Sequence, residues 1–195
     1  MKKNGKIILI LIASAVLILP LIGCFGVKTI EKNGAGYEID GITYEFTGRF
    51  SAIRTGEVIG KCKNGLFKTL RNDPDRLFMY LEAKPFHEPY KLLYNKAAVD
   101  AMELTMETIE VKGKKTSDPV IVAALESCME EEGIETDDLG KYVSVNWYYK
   151  ELPQVYGGTF IKIINNKYYV PGNNGDVPLP DAVCEWLDDV LKTGG

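Results

Sequence analysis

From Tyr37 onward, apolar and polar residues alternate with a period of two over most of the chain, which predicts strands more often than helices. Tyr37 and Ile39 lead into Asp40-Gly41, after which Ile42, Tyr44 and Phe46 alternate with Thr43, Glu45 and Thr47. Asp-Gly between two alternating runs predicts a tight hairpin whose turn residues have positive φ. Gly48 is expected to kink the second strand. A second hairpin is expected from Val58–Cys62 and Leu66–Leu70, with Asn64-Gly65 as another positive-φ pair. Asn72-Asp73-Pro74-Asp75 predicts a turn, and Arg76–Glu82 and Tyr90–Tyr94 predict strands. Lys84–Pro89 between them holds two prolines that cannot donate to a ladder. The first half reads as a β-meander of about six strands.

The second half mixes periods. Ala97–Val111 fits two patterns: Val99, Met102, Met106 and Ile109 at helical spacing, or Met102, Leu104 and Met106 alternating as a strand. The turn Lys112-Gly113-Lys114-Lys115 that follows favours a strand from about Glu103. Ser117-Asp118-Pro119 is a helix start, a cap followed by proline in the first turn. The helix it opens has the stripe Ile121, Leu125, Cys128 and Met129, with Gly133 expected to end it. Lys141–Lys150 predicts a strand with Val143, Val145, Trp147 and Tyr149 on one face and Tyr142, Ser144, Asn146 and Tyr148 on the other. Thr159–Ile164 and Lys167–Val170 predict a hairpin about Asn165-Asn166, and Pro171–Pro180 reads as a loop. Asp181 opens a last helix with the face Val183, Trp186, Leu187, Val190 and Leu191. The fold class expected is α+β: the meander, then a strand-helix-strands-helix half whose helices pack on one face of an antiparallel sheet.

Ahead of all this, Lys2, Lys3 and Lys6 precede an apolar run from Ile7 to Leu19, then Pro20 and Leu21-Ile22-Gly23-Cys24. That order resembles a bacterial lipoprotein signal peptide with its lipobox. The resemblance covers residues 1–24 only. It implies cleavage between Gly23 and Cys24, a diacylglyceryl group on the Cys24 thiol, and an α-amino group open to acylation. The implied partner is the lipid bilayer, and the implied place is the extracytoplasmic face of the cell membrane. Acyl chains contribute about 0.8 kcal/mol per buried methylene, so two or three of them anchor a domain stably. The rival reading is an uncleaved transmembrane helix, for which the uncharged run is long enough and which Pro20 and Gly23 weaken. The expected division is signal peptide 1–23, tether 24–36, β-rich half 37–96 and α+β half 97–195, the last two able to form one continuous domain. Nothing after Cys24 maps onto a named family.

Charge narrows the partners. The whole chain is −4 at pH 7, and the leader's three lysines leave −7 for the remainder. Glu45–Asp100 is +3 and Ala101–Gly195 is −9. This argues against nucleic acid, which wants a basic face. It leaves a cationic partner open for the second half, beside the plainer reading of Glu130–Asp138 as a solvated helix end. With Cys24 lipidated, Cys62, Cys128 and Cys184 remain, an odd set that leaves at least one thiol free.

No motif fixes a reaction. His87 is the only histidine, and a Cys-His nucleophile would need a thiol such as Cys62 within hydrogen-bond reach. A P-loop, GxGxxG, GxSxG, HExxH and CxxC are all missing from the sequence, and no cofactor or metal site is expected. Asn173-Asn174-Gly175-Asp176 resembles a calcium loop only faintly, since the acid it needs downstream is missing. Tyr142 and Tyr148, on the polar face of their strand, are candidate ligand-binding residues, because exposed tyrosines make rigid contact surface. The plainer alternative is a sheet face covered by a helix. The leading expectation is a lipid-anchored, non-enzymatic binding or interaction module. The alternatives are a surface hydrolase using paired carboxylates or a Cys-His pair, and an immunity-type lipoprotein that captures cationic peptides.

Overall fold

The computed structural model describes residues 27–84, 91–136 and 140–192. Strands dominate, all neighbours within the two sheets are antiparallel, and the helices are few. The first sheet is built from β1 (Lys32–Asn33), β2 (Gly36–Ile39), β3 (Ile42–Phe46), β5 (Thr55–Cys62), β6 (Gly65–Leu70), β7 (Phe78–Ala83) and β8 (Leu92–Tyr94). Their spatial order is β1-β2-β3-β8-β7-β6-β5. The second sheet runs β10 (Lys114–Thr116), β9 (Met106–Val111), β11 (Lys141–Tyr149), β12 (Val155–Ile164), β13 (Lys167–Gly172) and β14 (Gly175–Pro178). The short β4 (Ser51–Ala52) joins it along the start of β12.

The first sheet curls until its edges meet. Thr29 pairs in parallel with Lys61; the Ile30 amide donates to the Lys61 carbonyl, and the Lys61 amide to the Lys28 carbonyl, each at 2.8 Å. The segment before β1 thus lies along the outer edge of β5. Gly60 permits this approach, since a Cβ there would sit 2.2 Å from Ile30 Cδ1. Ile30, Tyr37, Tyr44, Phe67, Met79, Leu81 and Leu93 fill the curl as a core of their own. Chain within the expected 24–36 tether therefore belongs to the fold, through the pairing of Lys28–Ile30 with Lys61, the burial of Ile30 and the strand β1.

The helices are α1 (Lys96–Asp100), α2 (Pro119–Glu130) and α3 (Asp181–Lys192). The Asp118 side chain accepts from the Val120 amide at 2.9 Å and caps α2, with Pro119 at its first position. Val122, Leu125 and Cys128 of α2 and Val183, Leu187 and Val190 of α3 are buried in one cluster with Val143, Val145, Trp147 and Tyr149 of β11. The same cluster takes in Phe50, Leu70, Phe78 and Leu92 from the first half. Phe50 bridges the halves, its ring 5.5 Å from Phe78 and 6.0 Å from Tyr149. Asp73 ties the same junction: its carboxylate accepts from the Leu77 and Phe78 amides and from Gln154 Nε2.

Five local expectations change. Ala97–Val111 divides between both patterns: it opens in helix α1, capped by the Asn95 side chain on the Ala98 amide, and the strand expected from about Glu103 begins at Met106. Lys63-Asn64 form the second turn with no positive φ, and Gly65 is already in β6; glycine is needed there because a Cβ would lie 2.3 Å from the Glu82 carbonyl oxygen. β3 stops at Phe46, so Gly48 lies in the bend after it. Helix α2 ends at Glu130 without Gly133, which instead sits against the Gly175 backbone. Finally, Pro171–Pro180 is largely a hairpin. β13 pairs with β12 only as far as Tyr169, so Pro171 lies past that ladder, and Pro178 is on the edge strand, where a missing donor costs little. Among the described residues no helix is long and apolar enough to cross a membrane.

Candidate functional site

In an antiparallel ladder, directly opposed residues share a face. Tyr142, Ser144, Asn146 and Tyr148 of β11 oppose Lys162, Phe160, Gly158 and Tyr156 of β12. On the other flank, Asn146 and Tyr148 oppose Glu110 and Thr108 of β9. These residues form one surface, turned away from the face that α2 and α3 cover. The alternative of tyrosines beneath a helix does not hold: the helices pack on Val143, Val145, Trp147 and Tyr149.

The open face is unusually aromatic. Tyr142 is 54% exposed and Phe160 58%. Tyr148 is half-buried and held from three sides. Its hydroxyl donates to the Glu110 carboxylate at 2.6 Å, its ring centroid lies 5.8 Å from that of Tyr156, and Lys115 Nζ sits 4.0 Å over the ring. Burial, and then the bond to anionic Glu110, push the Tyr148 phenol up to about 12. Gly158 opposite Asn146 leaves the middle of the surface low and flat. At one end Lys162 is buried beneath the Glu132–Thr136 segment, where its ammonium donates to Thr136 Oγ1 at 2.7 Å and Asp176 at 3.1 Å. Phe160 was absent from the sequence candidates. Its place comes from the β11–β12 register, which sets Phe160 opposite Ser144 and so between Tyr142 and Tyr148.

No family model, curated protein or solved structure matches this chain.

A cleft of about 670 Å³ opens elsewhere, between α1, the Met102–Met106 stretch and α2. Its floor includes Val99, Met106 and Tyr149, and its rim carries Arg49, Lys96, Asp100, Glu126 and Glu130. Burial first, then the neighbouring Glu130, raise the Glu126 carboxyl above the usual range. Glycosidase chemistry needs two carboxyls flanking the scissile bond. Glu126 and Glu130 instead project from one helix a turn apart, and the third acid, Asp100, is bound to Lys96.

The remaining candidates separate. Cys62 is half-buried on β5, and its proposed partner His87 lies outside the described residues, as do Gly23 and Cys24. Cys128 and Cys184, on α2 and α3, are free thiols pushed up mainly by burial, the reverse of an activated nucleophile. Among the described residues no group of three His, Cys, Asp or Glu could hold a metal ion. At the end of α2, Asn173 Nδ2 donates to the Glu130 backbone carbonyl, and the Glu132 carboxylate just beyond accepts from Asn174 Nδ2.

Proposed function

We propose that this chain is a lipid-anchored, extracytoplasmic lipoprotein that works as a non-enzymatic binding module, taking its partner on the open face of the second sheet. One observation carries the reading: the helices cover only one side of that sheet, while Tyr142, Tyr148, Tyr156 and Phe160 occupy the other. Aromatic side chains have few rotatable bonds, so ordering them on binding costs little entropy. Tyr148 is already fixed by Glu110 and Lys115, which lowers that cost further. The anchor rests on the Leu21-Ile22-Gly23-Cys24 order behind the apolar run.

Both parts are tested together on intact cells. Mass spectrometry of the mature N-terminus should find acylated Cys24, and Cys24→Ala should abolish processing. An intact Met1 on the membrane-bound chain refutes the anchor. A photo-crosslinking phenylalanine analogue is then placed at Phe160, or at Val120 on the outer side of α2, which is also exposed. A discrete adduct from position 160 and none from 120 is expected. Equal labelling from both positions refutes the face.

A further inference from the structure

At the junction of the two sheets lie two arginines that no acid answers among the described residues. Arg54 immediately precedes β5 and Arg71 immediately follows β6. The Thr55–Leu70 pairing places them side by side, and the Arg71 amide donates to the Arg54 carbonyl at 3.1 Å. Both side chains line two adjoining hollows of about 530 and 370 Å³. Neither forms an ion pair with any described residue, although the chain as a whole is acidic. The closest acid in sequence, Asp73, spends its carboxylate on the Leu77 and Phe78 amides and Gln154. Both side chains are exposed, and the paired backbone lets their guanidinium groups reach the same hollows from adjacent strands.

The rest of the lining fits a particular anion. Thr55, Asn72 and Tyr80 bring neutral hydrogen-bonding groups to the same hollows, and Ile53, itself exposed, supplies an apolar wall. Guanidinium forks match the tetrahedral oxygens of phosphate two at a time, which a lone lysine cannot do. We propose that Arg54 and Arg71 form a binding site for a phosphate ester, with Ile53 against the organic part of the ligand. The site belongs to the described fold and stands whether or not the anchor does. Two sources share this chemistry: the headgroup of an anionic phospholipid and a soluble glycerophosphate.

Calorimetric titration of the full chain in nonionic detergent tests the site with two probes, glycerol 3-phosphate and short-chain dihexanoyl phosphatidylglycerol. Saturable one-site binding of at least one probe is expected. Arg54→Ala with Arg71→Ala should weaken it at least about tenfold, on the scale of lost charge-assisted hydrogen bonds. Arg54→Lys with Arg71→Lys keeps the charge and loses the forks, and should also weaken it severalfold. Neither pair should shift the melting temperature, which confirms that the variants fold. Tighter binding of the lipid than of glycerol 3-phosphate assigns the site to a headgroup, and equal binding assigns it to a soluble ester. The proposal is overturned by the absence of saturable binding of either probe up to about 10 mM. Unimpaired binding by the double lysine variant overturns it too, as does an equal loss in a Lys141→Ala, Lys167→Ala control.

Discussion

Removing one charge from the Lys162–Asp176–Thr136 triangle should unsettle the hairpin end of the second sheet. The Lys162 side chain is only 5% exposed and that of Asp176 21%, and the ammonium donates to both Asp176 and Thr136. Thr136 in turn donates to Asp176, so the triangle is closed. Stripping one partner from a buried pair costs about 3–5 kcal/mol, because the other charge stays desolvated. Water reaches part of Asp176 and Thr136 still serves it, so Lys162→Met is expected to cost about 2–3 kcal/mol. For a domain of this size that is a fall of roughly 5–10 °C in melting temperature. Lys162→Met combined with Asp176→Leu replaces both charges with apolar groups and should recover most of the loss. The pH dependence adds a second check. Burial alone would raise the Asp176 carboxyl, but the bonds from Thr136 and Lys162 outweigh it and hold the group below its ordinary 3.8. A lowered carboxylate contributes stability that is present above its unfolded value and is lost as pH falls through the folded one. The gap between wild type and Lys162→Met should therefore narrow below about pH 4. Urea melts of both single variants and the double, at neutral pH and near pH 3, provide the measurement. A cost under about 1 kcal/mol at neutral pH, or a double variant no better than the sum of the singles, refutes the reasoning.

Two more outcomes follow from packing and titration. Gly157→Ala places a Cβ 2.2 Å from Trp147 Nε1, so it should destabilise the chain by about 1–3 kcal/mol and shift the tryptophan emission; an unchanged melt refutes it. Glu110→Gln removes the anion beside Tyr148, so the phenol now held up to about 12 should titrate lower in an ultraviolet pH titration, and an unmoved curve would show that Glu110 has no hold on it.

Legibility in the sequence followed locality. Asp40-Gly41 and Asn165-Asn166 adopt the positive φ values expected of hairpin turns, because side chains of two residues decide the matter there. The capped start of α2 is equally local. Gly65 and Gly133 misled because their glycine is required by a strand or loop distant in sequence, and no φ signal accompanies such a contact. The Pro171–Pro180 stretch looked like a loop because prolines argue against ladders, yet both of its strand prolines lie where no partner needs their N–H. The candidate face was half legible. Alternation separated Tyr142 and Tyr148 from the core residues of β11, but whether a helix lay over them depended on topology that no window of residues contains.

The clasp of Lys28–Ile30 along β5 also has a mechanical meaning. Tension directed along Lys28–Ile30 runs along that clasp instead of peeling it from one end. The two backbone hydrogen bonds about Lys61 are then sheared together. Slippage also has to draw Ile30 out of its socket beside Gly60. Forced unfolding is governed by the rate of opening and not by equilibrium stability. The first sheet thus meets a pull along that segment as a shear-loaded buckle closed on β5.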